Sequence, residues 1–147
     1  MALLEVKDLH TSFHTPAGEV KAVNGVSFNL DHGKVLGIVG ESGSGKSTVA
    51  MSVARLLPSP PAFYPKGRIL LDGVDTLSMP LAQLRSIRGK RIGVIFQDPM
   101  GSLSPLHRIG AQLVETILLH EKISKKAAEA MALEWLAKVG IPDPLTR

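Results

Sequence analysis

The hydrophobic positions of the chain are spaced differently in its first thirty residues and beyond them. Near the N-terminus apolar and polar positions alternate, as around Val26 and Phe28, and a turn is indicated at Pro16–Gly18. Almost continuous apolar runs occur at Lys34–Gly40 and Arg91–Gln97, which is typical of strands buried on both faces of a parallel sheet. The pattern therefore predicts antiparallel strands followed by the first strands of a parallel sheet.

Two helices are predicted between those runs. One should begin near Gly45 and end near Leu57, just before a cluster of prolines, and a shorter one should cover Leu81–Arg88. The segment Gly67–Asp75 between them has the pattern of a short strand and a turn.

The last third of the chain is predicted to be helical, with Ser124 as the N-cap of its clearest helix. Gly140 and Pro142 should end that helix. Its apolar residues recur every three or four positions and are expected to pack into a core; they are Ala128, Met131, Ala132, Trp135, Leu136 and Val139.

The stretch after the first apolar run carries candidate chemistry. Residues 38–48 read IVGESGSGKST, in which Gly40, Gly45, Lys46 and Ser47 match the phosphate-binding pattern G-x-x-x-x-G-K-[ST]. Such glycines let successive backbone N–H groups point at an anion, and the helix that follows adds its positive end. A dinucleotide site of the Rossmann type is not predicted, because no third glycine follows at the required spacing.

Each residue type in this loop has a predicted task at a nucleotide. Gly43 and Gly45 leave no Cβ to collide with phosphate oxygens. Lys46 supplies positive charge to the β- and γ-phosphates, Ser47 offers a hydroxyl to Mg²⁺, and Thr48 can reach the α-phosphate. The predicted phosphate-binding set is Gly40, Ser42, Gly43, Ser44, Gly45, Lys46, Ser47 and Thr48.

Composition excludes several other classes of protein. The 147 residues are 44% hydrophobic and include no cysteine, which fits a folded domain and excludes disulfide frameworks, zinc ribbons and iron–sulfur sites. No apolar run approaches the roughly 18 residues of a membrane span, so a soluble cytosolic chain is expected. The net charge of +4 suggests nucleic acid, but no aromatic residues interleave the basic clusters around Arg88 and Lys125. A solvated helix face is therefore favoured, and no nucleic-acid partner is predicted.

A family resemblance runs over essentially the whole chain. The loop GESGSGKST, followed by VIFQDPMGSLSP at Val94–Pro105, resembles the nucleotide-binding domain of ABC transporters, in which a Q-loop begins at a glutamine such as Gln97. The stretches LLEVKDLHTSFHTPAGEVKAVNGVSFNL and ARLLPSPPAFYPKGRILLDGVDTLS are similar to the peptide and nickel importer branch of that family.

The resemblance implies an α/β fold, namely a P-loop NTPase (RecA-like) core with an N-terminal antiparallel β-subdomain and the start of an α-helical subdomain, truncated at the C-terminal side. Residues 1–100 would hold the β-subdomain and the first part of the ATPase core, and residues 101–147 the start of the helical subdomain. Lys46 and Gln97 should then open on one cleft. Without the later strands of the core, the apolar edges of 34–40 are expected to be unpaired and exposed.

The resemblance also assigns residues to the implied cofactors, ATP and Mg²⁺. Phe13 corresponds to the aromatic residue that stacks on adenine, with packing in the β-subdomain core as the alternative. Gln97 corresponds to a contact to Mg²⁺ and the attacking water, so Ser47 and Gln97 form the implied metal set. No catalytic residue is assigned, because the Walker B aspartate, its following glutamate and the LSGGQ-type signature are not found in these residues.

Two functions are considered. In the first, the chain represents the ATP-binding subunit of an importer for peptides or a related small solute, cytoplasmic and peripheral on the inner face of the cell membrane. Its partners would be transmembrane permease subunits, a second ATP-binding subunit and, indirectly, an extracytoplasmic solute-binding protein. In the second, it is a non-catalytic nucleotide-binding or interaction fragment. In both, this chain alone is expected to bind ATP without hydrolysing it.

Overall fold

The computed structural model describes residues 2–146, which form two compact units that divide between Arg88 and Gly89. This division reflects packing within each unit. The predicted division near residue 100 separates functional parts of a family fold, and it stays a prediction. Each unit is considered by itself below.

The first unit contains a four-stranded antiparallel sheet. Its strands are β1 (Ala2–Thr15), β2 (Gly18–Asp31), β3 (Ala62–Leu71) and β4 (Val74–Asp75), in the spatial order β2-β1-β3-β4. The alternating pattern near the N-terminus therefore predicted the right element type. β3 begins five residues before the predicted Gly67, and β2 lies at one edge of the sheet.

A tight turn sets the register between β1 and β2. Thr15 pairs with Gly18 and Phe13 pairs with Val20, while the Thr15 hydroxyl donates to the Gly18 carbonyl at 2.7 Å. Because a slip of one residue would move side chains to the other face, this turn determines the facing of the paired residues next to it, as far as the first irregularity in the pairing, between Thr11 and Ser12.

The helix that follows the phosphate-binding loop, α1 (Lys46–Val53), packs on this sheet. Val49 joins a core cluster with Val6, Leu9, Val23 and Ile69. The buried hydroxyls of Thr11 and Ser52 lie 3.0 Å apart, and Ser52 also donates to the Thr48 carbonyl at 2.6 Å. Strand β1 therefore fixes the position of the helix that carries the loop. The helix ends before the predicted Leu57, since Arg55 has a left-handed backbone with φ of 50°.

Arg88 closes the carboxyl end of α1. It follows the short helix α2 (Leu81–Ile87), and its guanidinium donates to the carbonyls of Ala54, at 3.0 Å, and Arg55. Cations are favoured at this end of a helix, while partial burial lowers the pKa of Arg88. The prediction that Arg88 belongs to a solvated face is therefore wrong.

The two continuous apolar runs are not strands within residues 2–146, so that prediction is wrong for this structure. Residues 34–40, in the first unit, and 91–97, in the second, carry almost fully exposed side chains such as Val35, Val39 and Ile95. A strand of a parallel sheet requires hydrogen-bonded neighbours and layers on both faces, and no strand of the described residues pairs with either run. The side chains of 34–40 are exposed and unpaired, as expected, but they do not form the strand whose edges were expected to be free. That later strands would cover this segment stays a prediction.

The second unit is helical, as predicted for the last third of the chain. Its α-helices are α3 (Ile109–His120), whose bounds were not predicted, and α4 (Lys125–Lys138). Short 3-10 helices cover Pro99–Gly101 and Pro144–Thr146. The Ser124 hydroxyl accepts a hydrogen bond from the Ala127 N–H at 3.2 Å, which confirms the predicted N-cap.

The predicted core face of α4 is only half buried. Ala128, Ala132 and Leu136 are buried, but Met131 and Trp135 are 36% and 52% exposed. Ala128 and Ala132 pack with Val114 of α3, whereas no described residue covers Met131 and Trp135 fully. Packing of Met131 and Trp135 in a core was therefore a wrong prediction for this unit.

Candidate phosphate-binding site

The loop between residues 40 and 46 takes the backbone conformation that its glycines allow. Gly43 and Gly45 have φ of 80° and 91°, in the left-handed region that side chains disfavour. The Ser44 N–H donates to the Glu41 carbonyl at 3.2 Å, and α1 starts at Lys46 with the Val49 N–H bonded to the Gly45 carbonyl at 2.9 Å. The loop therefore turns sharply into the first turn of the helix.

Gly45 also lies against the edge strand of the sheet. A Cβ at this position would come within 2.6 Å of the Ala22 carbonyl oxygen of β2. Only glycine permits so close an approach of two backbones. The end of the phosphate-binding loop is therefore fixed against β2, in addition to the contacts that hold α1 on β1.

The Lys46 side chain folds back over its own loop. Its ammonium donates to the carbonyls of Gly40, at 2.9 Å, and Glu41, at 2.6 Å, and lies 3.5 Å from the Ser44 hydroxyl. These acceptors hold the charge at the mouth of the loop. An anion entering the loop would compete with carbonyl oxygens for a cation already positioned there.

A cavity of about 430 Å³ opens beside this loop. One side is formed by the loop and the first turn of α1, and the other by three consecutive residues of β2. Its lining residues are Val20, Lys21, Ala22, Gly43, Ser44, Gly45, Lys46, Ser47 and Thr48. The structure thus brings six of the eight predicted phosphate-binding residues together on one cavity.

The remaining predicted residues lie outside this lining. Gly40 contributes a carbonyl to Lys46, and Ser42 is exposed in the loop. Phe13 is half-buried on β1, directly across from Val20. Gln97 belongs to the second unit. The roles of Phe13 and Gln97, and the shared cleft for Lys46 and Gln97, stay predictions.

Sequence reasoning missed the β2 side of the cavity, formed by Val20, Lys21 and Ala22. A signal was present, since a two-residue hairpin loop that joins Thr15 to Gly18 pairs residue 13 with residue 20. Phe13 was already a candidate, so its partner on β2 could have been inferred. Contact of Ala22 with Gly45 depends on how α1 docks, which no local pattern encodes.

The donor set fits a magnesium ion that arrives with a nucleotide. Among residues 2–146 no three histidine or acidic side chains cluster as a metal site, and the Ser47 hydroxyl lines the cavity next to Lys46. Mg²⁺ prefers oxygen ligands and usually binds through one or two protein groups together with phosphates and water. A single hydroxyl beside a phosphate-binding loop agrees with that preference.

A larger cavity of about 750 Å³ lies in the second unit, between α3 and α4. Aliphatic side chains such as Val114, Leu118 and Leu136 line it, together with Glu115 and Glu129. Its lining contains no glycine-rich loop, and its charged residues are Glu115, Glu129 and Lys125. Size therefore does not identify the phosphate site in this protein, and the smaller cavity has the appropriate chemistry.

Comparison with known proteins identifies relatives of this chain. Residues 23–147 match the sequence profile of the family described as ABC transporter. The oligopeptide transport ATP-binding protein OppD of Bacillus subtilis is 51% identical over 145 residues, which are 99% of this chain and 40% of that protein. The dipeptide transport ATP-binding protein DppD of the same organism is 49% identical over 97% of this chain and 42% of its own length. The chain thus spans about two fifths of these relatives.

Solved structures share the fold. The dimeric bacterial ABC transporter cassette MJ0796 superposes with a TM-score of 0.75 at 24% identity, over 91% of this chain and 56% of that one. A post-hydrolysis form of the same cassette, bound to ADP and Pi, gives a TM-score of 0.72 at 22% identity, with the same coverage. These likenesses confirm the predicted fold class. In the part of the chain that the structure describes, no helix is both long and apolar enough to cross a membrane.

Proposed function

The chain belongs to the ABC transporter family, and we propose that its first unit binds Mg-ATP in the cavity between the phosphate-binding loop and β2. The observation that carries this proposal is the common cavity of residues 43–48 and Val20–Ala22. The cavity brings together a loop with two glycines in the left-handed backbone region, a helix N-terminus and a lysine ammonium. These are features that favour binding of a polyphosphate.

The loop would bind the phosphates through backbone N–H groups and Lys46. Anions bind where several N–H groups converge at the start of a helix, because those groups have no partner within the helix. Lys46 would exchange the carbonyls of Gly40 and Glu41 for phosphate oxygens, because an ammonium interacts more strongly with a charged phosphate than with a neutral carbonyl. Ser47 would hold the metal, which neutralises part of the phosphate charge when it is bound.

Phe13 and Gln97 complete the proposed site by resemblance to the family. Phe13 would stack on adenine. It pairs with Val20 on the neighbouring strand, and Val20 lines the cavity. Gln97 would contact Mg²⁺ and a water near the terminal phosphate. A neutral amide can orient that water but cannot accept its proton. We therefore propose that these 147 residues bind ATP without turnover.

The wider role proposed for the protein is that of an ATP-binding subunit of an importer for peptides or a related small solute. The names of the relatives support this role, as both are peptide transport ATP-binding proteins. Its proposed partners are transmembrane permease subunits and a second ATP-binding subunit, with a solute-binding protein acting outside the cell. Its proposed place is the cytoplasmic face of the membrane.

Substituting Lys46 tests the proposed nucleotide site. Lys46→Ala removes a charge aimed at the phosphates, so Mg-ATP affinity should fall about tenfold to hundredfold, as expected for a charge-assisted contact of 1.5–3 kcal/mol. The measurement is displacement of a fluorescent ATP analogue by Mg-ATP, with phosphate release followed in parallel. Lys7→Ala is the matched control, because Lys7 is an exposed lysine of β1 paired with Glu5 at 2.8 Å and outside the cavity lining.

Either of two results would contradict the proposal. Equal Mg-ATP affinity in the Lys46→Ala, Lys7→Ala and unsubstituted chains would show that the loop is not the binding site. Turnover abolished by Lys46→Ala would show instead that a residue of this chain accepts the proton of the attacking water.

A further inference from the structure

The β2 side of the cavity contains a second lysine besides the one in the phosphate-binding motif. Lys21 lies between Val20 and Ala22 on the cavity lining, and β2 is an edge strand. The Ala22 backbone carbonyl faces Gly45 of the loop, so the edge of β2 bounds the cavity. Lys21 is therefore on the strand edge that lies beside the phosphate-binding loop.

The two lysines of the lining differ in how their charge is used. The Lys46 ammonium is bonded to carbonyls of its own loop. Lys21 is exposed, and within residues 2–146 its side chain forms neither an ion pair nor a hydrogen bond. No acidic side chain lines this cavity. Lys21 thus places an uncompensated positive charge at the wall opposite the loop.

Contact between Gly45 and Ala22 keeps this second charge close to the phosphate-binding loop. The Ala22 carbonyl lies so close to Gly45 that a Cβ there would approach it to 2.6 Å, and Lys21 is the adjacent residue. The distance between β2 and the loop is therefore set by backbone contact. A lysine side chain on a four-carbon stem can follow an anion within such a cleft.

We propose that Lys21 is a second phosphate-binding cation, which contacts the phosphate chain of the nucleotide from the β2 side. This inference rests on the nucleotide site proposed above. Lys46 binds the phosphates from the loop, Lys21 binds them from the opposite wall, and Val20 beside it offers apolar surface to the base. Neighbouring residues on the edge of β2 would then contact both the base and the phosphates.

Lys21→Met tests the role of the charge, because methionine keeps much of the aliphatic stem and removes the ammonium. Mg-ATP affinity should fall about twofold to fivefold, as for an exposed ionic contact, while adenosine affinity should not change. The salt dependence of Mg-ATP binding should become shallower, since one ionic contact is lost. Lys21→Arg should retain most of the affinity, and Lys7→Met is the control for net charge.

The outcomes separate this inference from the nucleotide site itself. If Lys46→Ala weakens Mg-ATP binding but Lys21→Met changes it less than twofold, only the role of Lys21 is overturned. Equal losses for Mg-ATP and adenosine would also overturn it, because they indicate a change of cavity shape. A chain that binds no Mg-ATP would overturn both proposals. Thermal unfolding of each variant, followed by circular dichroism, checks that the fold is retained.

Discussion

Strand β1 and the segment 34–40 are both rich in aliphatic residues and lie in the same unit, yet they have opposite environments. Val6 and Leu9 of β1 are 1% and 0% exposed, whereas Val35 and Val39 are 98% and 92% exposed. β1 lies between β2 and β3 and also packs against α1. Segment 34–40 has no paired strand among the described residues.

The difference shows that apolar sequence alone does not make a strand. Backbone N–H and C=O groups of a strand need partners, and side chains need a layer to cover them. For β1 the turn after Thr15 supplies β2 as a partner from adjacent sequence. A central strand of a parallel sheet depends instead on strands distant in sequence. The two segments therefore differ in whether a neighbouring strand is available to pair with them, and not in their intrinsic preference for strand conformation.

Truncating one side chain in each region should give the largest contrast. Leu9→Ala removes a fully buried side chain from the core and should lower the free energy of unfolding by about 2–5 kcal/mol. Val39→Ala removes an exposed side chain and should change it by less than about 0.5 kcal/mol. Urea denaturation followed by the β-sheet signal in circular dichroism measures both.

The result for Val39 decides whether the contrast holds in solution. A loss of 2 kcal/mol or more in Val39→Ala, comparable with the expected loss in Leu9→Ala, would mean that segment 34–40 is packed, for example against a second copy of the chain. Repeating the experiment at several protein concentrations distinguishes the two cases, because only packing between copies depends on concentration.

The same contrast explains how much of the fold the sequence could predict. The alternation around Val26 and Phe28, the phosphate-binding motif and the Ser124 cap are local signals, and each predicted the element that is observed. The state of 34–40 and the exposure of Trp135 depend on which surfaces are available to cover them. No pattern within a short window contains that information.

The candidate site divides in the same way. Residues 43–48 were predicted because a phosphate-binding loop needs glycine, lysine and hydroxyl residues at fixed spacing. Val20–Ala22 were not predicted, because their contact with Gly45 depends on the docking of α1 against β1. Arg88 was likewise interpreted as a surface cation, whereas it closes the end of α1.

Substituting the two loop glycines tests whether contact with β2 holds the conformation of the phosphate-binding loop, even though segment 34–40 before the loop is unpaired. Gly45→Ala and Gly43→Ala both place a Cβ on a left-handed backbone, at φ of 91° and 80°, which costs about 1–3 kcal/mol. Only at Gly45 would the Cβ also meet a carbonyl, at 2.6 Å, since nothing lies within 4 Å of a Cβ at Gly43. A Cβ at either glycine would also approach the bound phosphates, so the contact with β2 is what distinguishes the two positions. Gly45→Ala should therefore weaken Mg-ATP binding by at least tenfold more than Gly43→Ala, which is about 1.4 kcal/mol.

Titration with Mg-ATP of both variants, alongside the unsubstituted chain, gives this ratio. Equal losses would show that backbone strain and the lost room for phosphate account for both effects, and that contact with β2 does not shape the loop. The phosphate-binding loop would then keep its form independently of the sheet, and the contrast between paired and unpaired regions would not extend to the site.

A smaller effect on stability is expected at Tyr64, which has an unsatisfied polar group within the well-packed first unit. The Tyr64 hydroxyl is buried without a hydrogen-bond partner among residues 2–146. The nearby Ser52 hydroxyl acts to lower the pKa of Tyr64, but its geometry does not form a hydrogen bond with the Tyr64 hydroxyl. Ser52 bonds instead with Thr11 and the Thr48 carbonyl. Because an unsatisfied buried group is costly, Tyr64→Phe should raise the free energy of unfolding by up to about 1 kcal/mol near neutral pH.

The pH dependence of stability gives the same residue a second readout. Burial raises the pKa of Tyr64 above its ordinary value of 10.0, so the folded chain favours the neutral phenol. The resulting stability is fully present below pH 10 and is lost as the pH rises through the raised pKa of the folded state. The unsubstituted chain should therefore lose stability in this alkaline range relative to Tyr64→Phe.

Tyr64 is the single tyrosine of the chain, so tyrosinate absorbance reports its titration directly. A Tyr64→Phe variant less stable than the unsubstituted chain at neutral pH, with an unshifted titration, would show that the hydroxyl is hydrogen-bonded in solution and that the paired region is fully satisfied.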